Sequence, residues 1–275
     1  MIADQFMIME NIITFLVGCC FGSFINVIVY RFPLGESIIF PGSHCINCKY
    51  KIRFLHNIPL ISWIFLQGKC INCRQKISLI YPIVELTTGI LFVINNYSSP
   101  SNLYKSSFLI TTISGWVFIS ILITLSILDI KYLWLPKSIC NFGIFCGIIS
   151  NLITEIKHDI PIKFLLSIES IAAAFLGYLT IKLISATGFR LFQKPVMGEG
   201  DSKLMALIGA WLGIKGFAIT TWLAFNIAGI FAILGLILKK LKRHQKIPFG
   251  AFIAFSGICV WHFGNSSFTN IFFRA

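Results

Sequence analysis

With 56% hydrophobic and only 12% charged residues, this chain of 275 residues lies far outside the composition of a soluble domain, in which roughly a quarter of residues are charged. A soluble globular fold is thereby excluded and a bilayer is the natural solvent. The net charge of +13 raises nucleic acid as a partner, but lysine and arginine cluster in short loops between apolar spans, without the continuous basic face a duplex needs, so no nucleic acid is expected.

In chain order, the first apolar stretch covers residues 11–29. Acidic or neutral residues precede it (Asp4, Glu10), Arg31 follows it, and no small-x-small cleavage pattern leads into a mature domain, so a retained transmembrane helix is expected rather than a signal peptide. Further apolar stretches fall at 80–97, 108–128, 139–154, 164–185, 204–214, 217–238 and 249–263, near the length of about 20 residues needed to cross the hydrocarbon core. The predicted fold is an all-α polytopic membrane protein with about eight transmembrane helices. The sixth stretch is short, and 204–238 also reads as one span plus a re-entrant piece. Residues 31–80 form the one sizeable polar segment, and neither an internal repeat nor a low-complexity tract is expected.

Eight crossings with 31–80 in the cytoplasm put 129–138, 186–203 and 239–248 on that same face and both termini outside. In and beside these inner segments stand 18 of the 23 basic residues, while the outer ones hold only Lys105, Lys157, Lys163, Lys215 and Arg274, as the positive-inside rule requires. The densest run, Lys239, Lys240, Lys242, Arg243 and Lys246, is read as a topogenic anchor in preference to a lipid or partner site.

Within the polar segment, Cys45-x-x-Cys48 and Cys70-x-x-Cys73 are separated by 21 residues. Two-residue spacing turns both thiolates of a pair toward one ion, and two such pairs complete the tetrahedral set zinc prefers. Four thiolates leave no open coordination position, which points to a structural metal rather than a catalytic one. Two disulfides are the alternative, disfavoured by a reducing cytoplasm. Gly42 and Gly68 offer tight backbone before each pair, and Cys19, Cys20, Cys140, Cys146 and Cys259 are read as small packing residues in the spans.

Only ten carboxylates are present. Asp4, Glu10, Glu36, Glu155, Asp159 and Glu169 carry no motif and are read as solvated or interfacial, whereas Glu85, Asp129, Glu199 and Asp201 fall at span boundaries on the inner face. Asp129 closes one span and opens Asp-Ile-Lys-Tyr-Leu-Trp-Leu-Pro136, and Asp201 stands in Gly198-Glu-Gly-Asp-Ser-Lys203 at the entrance to another. Taken singly, Asp201 is equally an N-cap and Asp129 equally an interfacial stop. As a pair on one face they suggest two carboxylates that share a proton, one acting as general base on water while the other polarises a carbonyl.

Eight segments in order, GSFINVIVYRFP (22–33), the first cysteine pair (45–48), NIPLISW (57–63), the second cysteine pair (70–73), YPIVEL (81–86), LDIKYLWLP (128–136), GEGDSKLMALIGAWLG (198–213) and IPFGAF (247–252), give the chain a close resemblance to the prepilin leader peptidases of type IV pilus and type II secretion systems. The resemblance implies a multi-pass enzyme of the bacterial inner membrane that cuts prepilins and pseudopilins on the cytoplasmic side, after the glycine ending a short basic leader, with Asp129 and Asp201 as the catalytic pair. Where many relatives read Leu-Pro-Asp, this chain has Leu135-Pro136-Lys137, so no second aspartate competes with Asp129. Many members also methylate the new N-terminal amine with S-adenosylmethionine, an activity associated with the N-terminal part. The resemblance thus implies a methyltransferase part over 1–97 and a peptidase part over 98–275. No glycine-rich nucleotide fingerprint supports the methyl donor independently. Gly22, Asn26, Tyr30, Arg31 and Glu85 belong to the matching segments and are equally explained by packing or anchoring. The competing class, a proton- or ion-coupled transporter with a zinc-stabilised loop, predicts polar groups deep within spans rather than at one rim.

Overall fold

In lipid a spanning segment must satisfy its own backbone hydrogen bonds, so the long apolar runs have one outcome available to them, the helix. The computed structural model describes residues 2–98, 105–157, 165–193, 197–242 and 245–272. These residues form eight α-helices: α1 Ile2–Arg31, α2 Ile61–Phe65, α3 Ile80–Ser98, α4 Lys105–Tyr132, α5 Lys137–Lys157, α6 Leu165–Phe192, α7 Glu199–Ile237 and α8 Phe249–Phe272. Short 3-10 turns occur at Phe32–Leu34 and Phe54–His56, and no strand is formed among the described residues. The helices α1, α4, α5, α6 and α7 are long and apolar enough to cross a membrane, and α8 carries a shorter apolar helix, Phe249–Gly264. The expected stretches 11–29, 108–128, 139–154 and 249–263 fall inside α1, α4, α5 and α8, 164–185 begins one residue before the described start of α6, and 204–214 and 217–238 fall on α7 except for residue 238; 80–97 falls inside α3, which is not among the helices long and apolar enough to cross.

The chain forms two compact units, Met1–Tyr97 and Ser98–Ala275. In the first, α1 and α3 run antiparallel at very close range. A Cβ on Gly18 would lie 2.7 Å from the Gly89 Cα, and one on Gly22 would lie 2.6 Å from the Glu85 Cα. Small residues at this seam let the backbones approach, the usual basis of helix packing where lipid removes the hydrophobic drive. Polar side chains tie the same seam along its length: Asn26 Nδ2 donates to the Tyr81 carbonyl at 3.1 Å, and Asn96 Nδ2 donates to Thr14 Oγ1 at 2.9 Å.

In the second unit the same device joins α6 to α7. A Cβ on Gly177 would stand 2.6 Å from the Met205 carbonyl oxygen, and Gly209 abuts the Ala173 carbonyl. Around this seam lies an aromatic core in which the Phe118 and Trp211 rings stack at 4.9 Å and Trp261 meets Trp211 edge-on at 6.1 Å. Trp211 Nε1 donates to the Gly143 carbonyl at 2.8 Å, so α4, α5, α7 and α8 are pinned at one place.

The α7 segment is not one rod. Gly213 has φ 66° and ψ −172°, a conformation that favours glycine, and the helix reverses there. Thr221 Oγ1 reaches Met205 Sδ at 3.5 Å although 16 residues separate them, a span that a continuous helix would stretch to about 24 Å. Residues 199–212 and 214–237 are therefore separate antiparallel helices. Glu169 Oε1 accepts the Ile214 N–H at 3.2 Å and caps the second one.

One expectation about an acidic residue is corrected here. Glu155 is not solvated: only 5% exposed, it accepts from the Ser167 hydroxyl at 2.7 Å and the Leu166 N–H at 3.1 Å, capping the start of α6. Asp201 is not itself the N-cap, a position held by Gly198, but three residues later its carboxylate accepts the Gly198 N–H as the second member of a capping box.

The α6–α7 seam predicts a specific stability effect. Gly209→Val would press its side chain onto the Ala173 backbone, which cannot rotate away, and should cost about 3 kcal/mol, the upper end of overpacking. Gly229, with open space around its Cβ position, is the control. A melting temperature in detergent that falls for Gly209→Val but not for Gly229→Val is the expected result.

Candidate functional site

The first unit carries the cysteine cluster. The four Sγ atoms of Cys45, Cys48, Cys70 and Cys73 lie within 4.8 Å of one another. Cys45 Sγ is 3.8 Å from Cys73 Sγ, and Cys48 Sγ is 3.9 Å from Cys70 Sγ. A tetrahedral set with zinc–sulfur bonds of about 2.3 Å places its sulfurs about 3.8 Å apart, so the cluster has the size and donor chemistry of such a centre.

The two knuckles are copies of one another, and the expectation that the chain has no internal repeat is overturned. Residues 45–52 read CINCKYKI and residues 70–77 read CINCRQKI. The Cys45 N–H donates to the Tyr50 carbonyl at 3.0 Å and the Cys70 N–H to the Gln75 carbonyl at 2.9 Å. Isolated bridges close both turns, His44 with Lys51 and Lys69 with Lys76. The left-handed residues of the two turns are Lys49 (φ 56°) and Arg74 (φ 58°), rather than a glycine before each pair; Gly68 has φ 64°, but Gly42 is not left-handed. The asparagines also correspond, with Asn72 Nδ2 at 3.6 Å from Cys48 Sγ and Asn47 Nδ2 at 4.0 Å from Cys73 Sγ. Donation by the Tyr50 N–H, and then by Asn72, holds the Cys48 thiol down at about 6. The Cys73 N–H lowers Cys70 in the same way, whereas Cys45 in the same cluster is pushed up to about 11, so Cys48 and Cys70 are the two that favour the thiolate a metal takes.

The remaining cysteines fit packing roles unevenly: Cys19 and Cys140 are buried, Cys146 and Cys259 half-buried, and Cys20 is exposed. Glu85 is buried and accepts the Leu60 N–H at 2.7 Å. Arg31, also buried, donates to the Ser37 and Gly42 carbonyls at 3.0 and 3.2 Å, which secures the loop to the end of α1.

The second unit carries the two aspartates. Asp129 sits in the last turn of α4 with 6% exposure, and its Oδ2 accepts the Ala251 N–H at 3.1 Å at the start of α8. Asp201 lies in the first turn of α7, where its Oδ2 accepts the Gly198 N–H at 3.1 Å. The two are brought to one region of the unit by Leu135, a residue that periodicity does not single out, which packs against the glycine beside each of them. The left-handed turn at Leu133 (φ 51°) ends α4 and sends the chain back beneath Asp129. There buried Leu135 fills the space a side chain would need at both glycines: a Cβ on Gly200 would lie 2.7 Å from Leu135 Cβ, and one on Gly250 would lie 2.8 Å from Leu135 Cδ1 and 2.9 Å from Asp129 Oδ2. Each aspartate thus has a neighbouring glycine pressed on the same leucine. Gly250 and Ala251 were visible in the sequence only as part of the IPFGAF segment.

Glu199, beside the pair, is held by Lys137 Nζ at 3.2 Å. Lys137, which follows Leu135-Pro136, is therefore the partner of the acidic residue in the Gly-Glu-Gly-Asp turn.

These features define a polytopic, all-helical membrane protein with a thiolate cluster in one unit and a carboxylate pair at the helix ends of the other. Residues 16–98 match the family model of the bacterial peptidase A24 N-terminal domain, and residues 116–233 match that of the type IV leader peptidase family. The prepilin leader peptidase/N-methyltransferase of Klebsiella pneumoniae is 32% identical over 228 residues, spanning 81% of this chain and 93% of that protein. Those of Myxococcus xanthus (30% over 241 residues, 86% and 68% covered) and Neisseria gonorrhoeae (30% over 266 residues, 88% and 86% covered) match over similar lengths. The chain belongs to the type IV leader peptidase family. No solved structure matches it.

Proposed function

We propose that this chain is a membrane aspartic endopeptidase that removes the short basic leader of type IV prepilins and pseudopilins after its final glycine, and methylates the N-terminal amine so released. The observation that carries the peptidase reading is the approach of Asp129 and Asp201, from distant parts of the chain, to one leucine, Leu135, which lies against the glycine beside each of them and in this reading spaces the pair. Two adjacent carboxylates retain one proton between them. The ionised member takes a proton from water as it attacks the scissile carbonyl, and the protonated member donates to the carbonyl oxygen; the first member then passes its proton to the leaving nitrogen while the second takes one back from a hydroxyl of the tetrahedral intermediate, so that the C–N bond breaks and the pair again holds one proton.

The topology belongs to the same reading. Eight crossings are made by α1, α3, α4, α5, α6, residues 199–212, residues 214–237 and α8, with the aspartates and the cysteine loop facing the cytoplasm of a bacterial inner membrane. The distribution of basic residues supports that orientation. A transporter gains nothing from this arrangement, because the two aspartates are held at helix ends rather than along a path through the spans.

Zinc at Cys45, Cys48, Cys70 and Cys73 is structural, a cross-link between the two copied knuckles. Residues 1–97 carry the methyl transfer, with S-adenosylmethionine as donor; this part of the reading rests on the family and the names of its relatives. Replacing Cys45 and Cys48 together by serine should release the metal and lower methylation more than cleavage. Metal content by mass spectrometry and the two activities on one prepilin check this, and full methylation by the metal-free variant is the contrary result.

Cleavage itself is the direct test. Purified chain in detergent should convert a prepilin with a glycine-ended leader to the mature form, and a prepilin whose glycine is replaced by a bulky residue should remain uncut.

A further inference from the structure

The short helix α2 is amphipathic the wrong way round for a water-facing loop. Ser62 is buried and Trp63 half-buried, while Ile61, Ile64 and Phe65, spaced to share one face, are exposed. The inward side is well held: Trp63 packs on Gly68, its Nε1 donates to the Ile77 carbonyl at 3.3 Å, and the Ser62 hydroxyl donates to the Leu55 carbonyl at 3.1 Å. That last bond fastens the Phe54–His56 turn beside α2, where Phe54 and Leu55 are exposed as well. Phe54 is 85% and Phe65 83% exposed, so a firmly folded element displays its aromatic residues outward. A contiguous apolar patch of this kind marks a contact surface.

Its depth identifies the contact. The Leu60 N–H, at the entrance to α2, is bound to Glu85, which lies five residues inside α3, about 7.5 Å below its first residue. Along α1, Glu85 is level with Gly22, about 13 Å below Arg31 at the end of that helix. The patch therefore lies alongside the first turns of α3, which the proposed topology places in the membrane. An interfacial helix buries its apolar face about 5–10 Å into the headgroup and acyl boundary.

Charge distinguishes among occupants. Residues 31–80 contain one acidic residue, Glu36, against seven basic ones, of which Lys49, Lys51, Arg53, Lys69, Arg74 and Lys76 are exposed. A basic leader peptide and the basic inner loops of residues 98–275 are both repelled by such a surface. An anionic lipid leaflet is attracted to it.

We propose that α2 and the Phe54–His56 turn form an interfacial anchor, with Phe54, Leu55, Ile61, Ile64 and Phe65 in the upper acyl layer and the basic residues of both cysteine knuckles on anionic headgroups. The inference depends on the membrane placement of α1 and α3 and is independent of which reaction the enzyme performs. Its consequence is that the cysteine cluster is carried on the membrane surface, fixed in height relative to the bilayer.

The test uses full-length chain, with its metal, in nanodiscs of phosphatidylethanolamine and phosphatidylglycerol. A photoreactive diazirine amino acid at position 54 or 65 should yield lipid adducts, and the same group at exposed position 36, whose N–H bonds back to Arg31 at the end of α1, should yield far fewer. Adducts to residues 98–275, adducts to a co-reconstituted prepilin, or lipid labelling no greater than at position 36 would each overturn the proposal. A second readout is tryptic cleavage after Arg53. It should rise about fivefold for Lys51→Gln in phosphatidylglycerol nanodiscs, as loss of one basic residue at an anionic surface requires, and stay unchanged in phosphatidylcholine ones. Phe54→Ser with Phe65→Ser should expose the same bond in both lipids while keeping its zinc, which shows that the loop remains folded. Protection that survives in this double variant contradicts the anchor.

Discussion

Asp129→Asn and Asp201→Asn, each alone, should reduce prepilin cleavage by about 10³-fold or more, within or beyond the range of general acid–base contributions. Asparagine keeps the shape of the side chain and an oxygen that can accept the Ala251 N–H at position 129 or the Gly198 N–H at position 201. The helix ends should therefore stay in place and the melting temperature in detergent should change little. What is removed is the ability to hold or release a proton, and with it the shared proton of the pair. Because the two groups act as a unit, the double variant should be no worse than either single one. Methylation of a pilin supplied already cut should survive in all three variants, which separates loss of the peptidase from loss of the protein. Cleavage within tenfold of the unsubstituted enzyme by either single variant would dismiss the pair. The pH–rate profile of the unsubstituted enzyme should be bell-shaped, falling at high pH as the shared proton leaves and at low pH as both carboxylates become neutral.

How far the chain could be read in advance depended on whether one stretch carried the signal or two distant ones did. Apolar runs such as 108–128 and 139–154 report their own length, so α4 and α5 were legible without a partner. The break near Gly213 was legible as the division between 204–214 and 217–238, but its exact place was not, because the residues on either side are equally apolar and periodicity has no term for a change of direction. The motif Gly-Glu-Gly-Asp pointed to Asp201, but the spacer role of Leu135 depends on Gly200 and Gly250 converging on it from different helices, and no local pattern encodes that. The repeat of CINC with a lysine–isoleucine pair three residues later was present to be seen, and only the matching hydrogen bonds of the two knuckles gave it meaning. Glu155 was misjudged for a related reason: its partners at the start of α6 lie across a turn, and a carboxylate near a span end reads as solvated until those donors are known.

The second large effect is expected at a residue that carries no chemistry. Gly250→Ala adds one methyl group at a helical position without a left-handed backbone, where alanine favours the helix by roughly 0.5–1 kcal/mol over glycine. The fold should tolerate it and the start of α8 should stiffen. Yet the new Cβ would arrive 2.8 Å from Leu135 Cδ1 and 2.9 Å from Asp129 Oδ2, and both must move. The leucine tip can rotate, but its Cβ is already seated against Gly200, which limits how far the side chain as a whole can retreat. The carboxylate then takes up most of the displacement, weakening its bond from the Ala251 N–H and widening its separation from Asp201. A misplacement of about 1 Å in a reacting group is worth about 10²-fold in rate, so kcat for prepilin cleavage should fall by about that factor with the melting temperature unchanged or raised. A structural role alone would couple the two readouts in the opposite sense, with activity lost only as stability is lost. If Gly250→Ala cleaves normally, Leu135 is not the spacer that sets the carboxylate geometry. If it is inactive while remaining at least as stable, the catalytic separation is set by a leucine lodged between two glycines, and Leu135→Ala should relax the same pair and lower the rate without any added bulk.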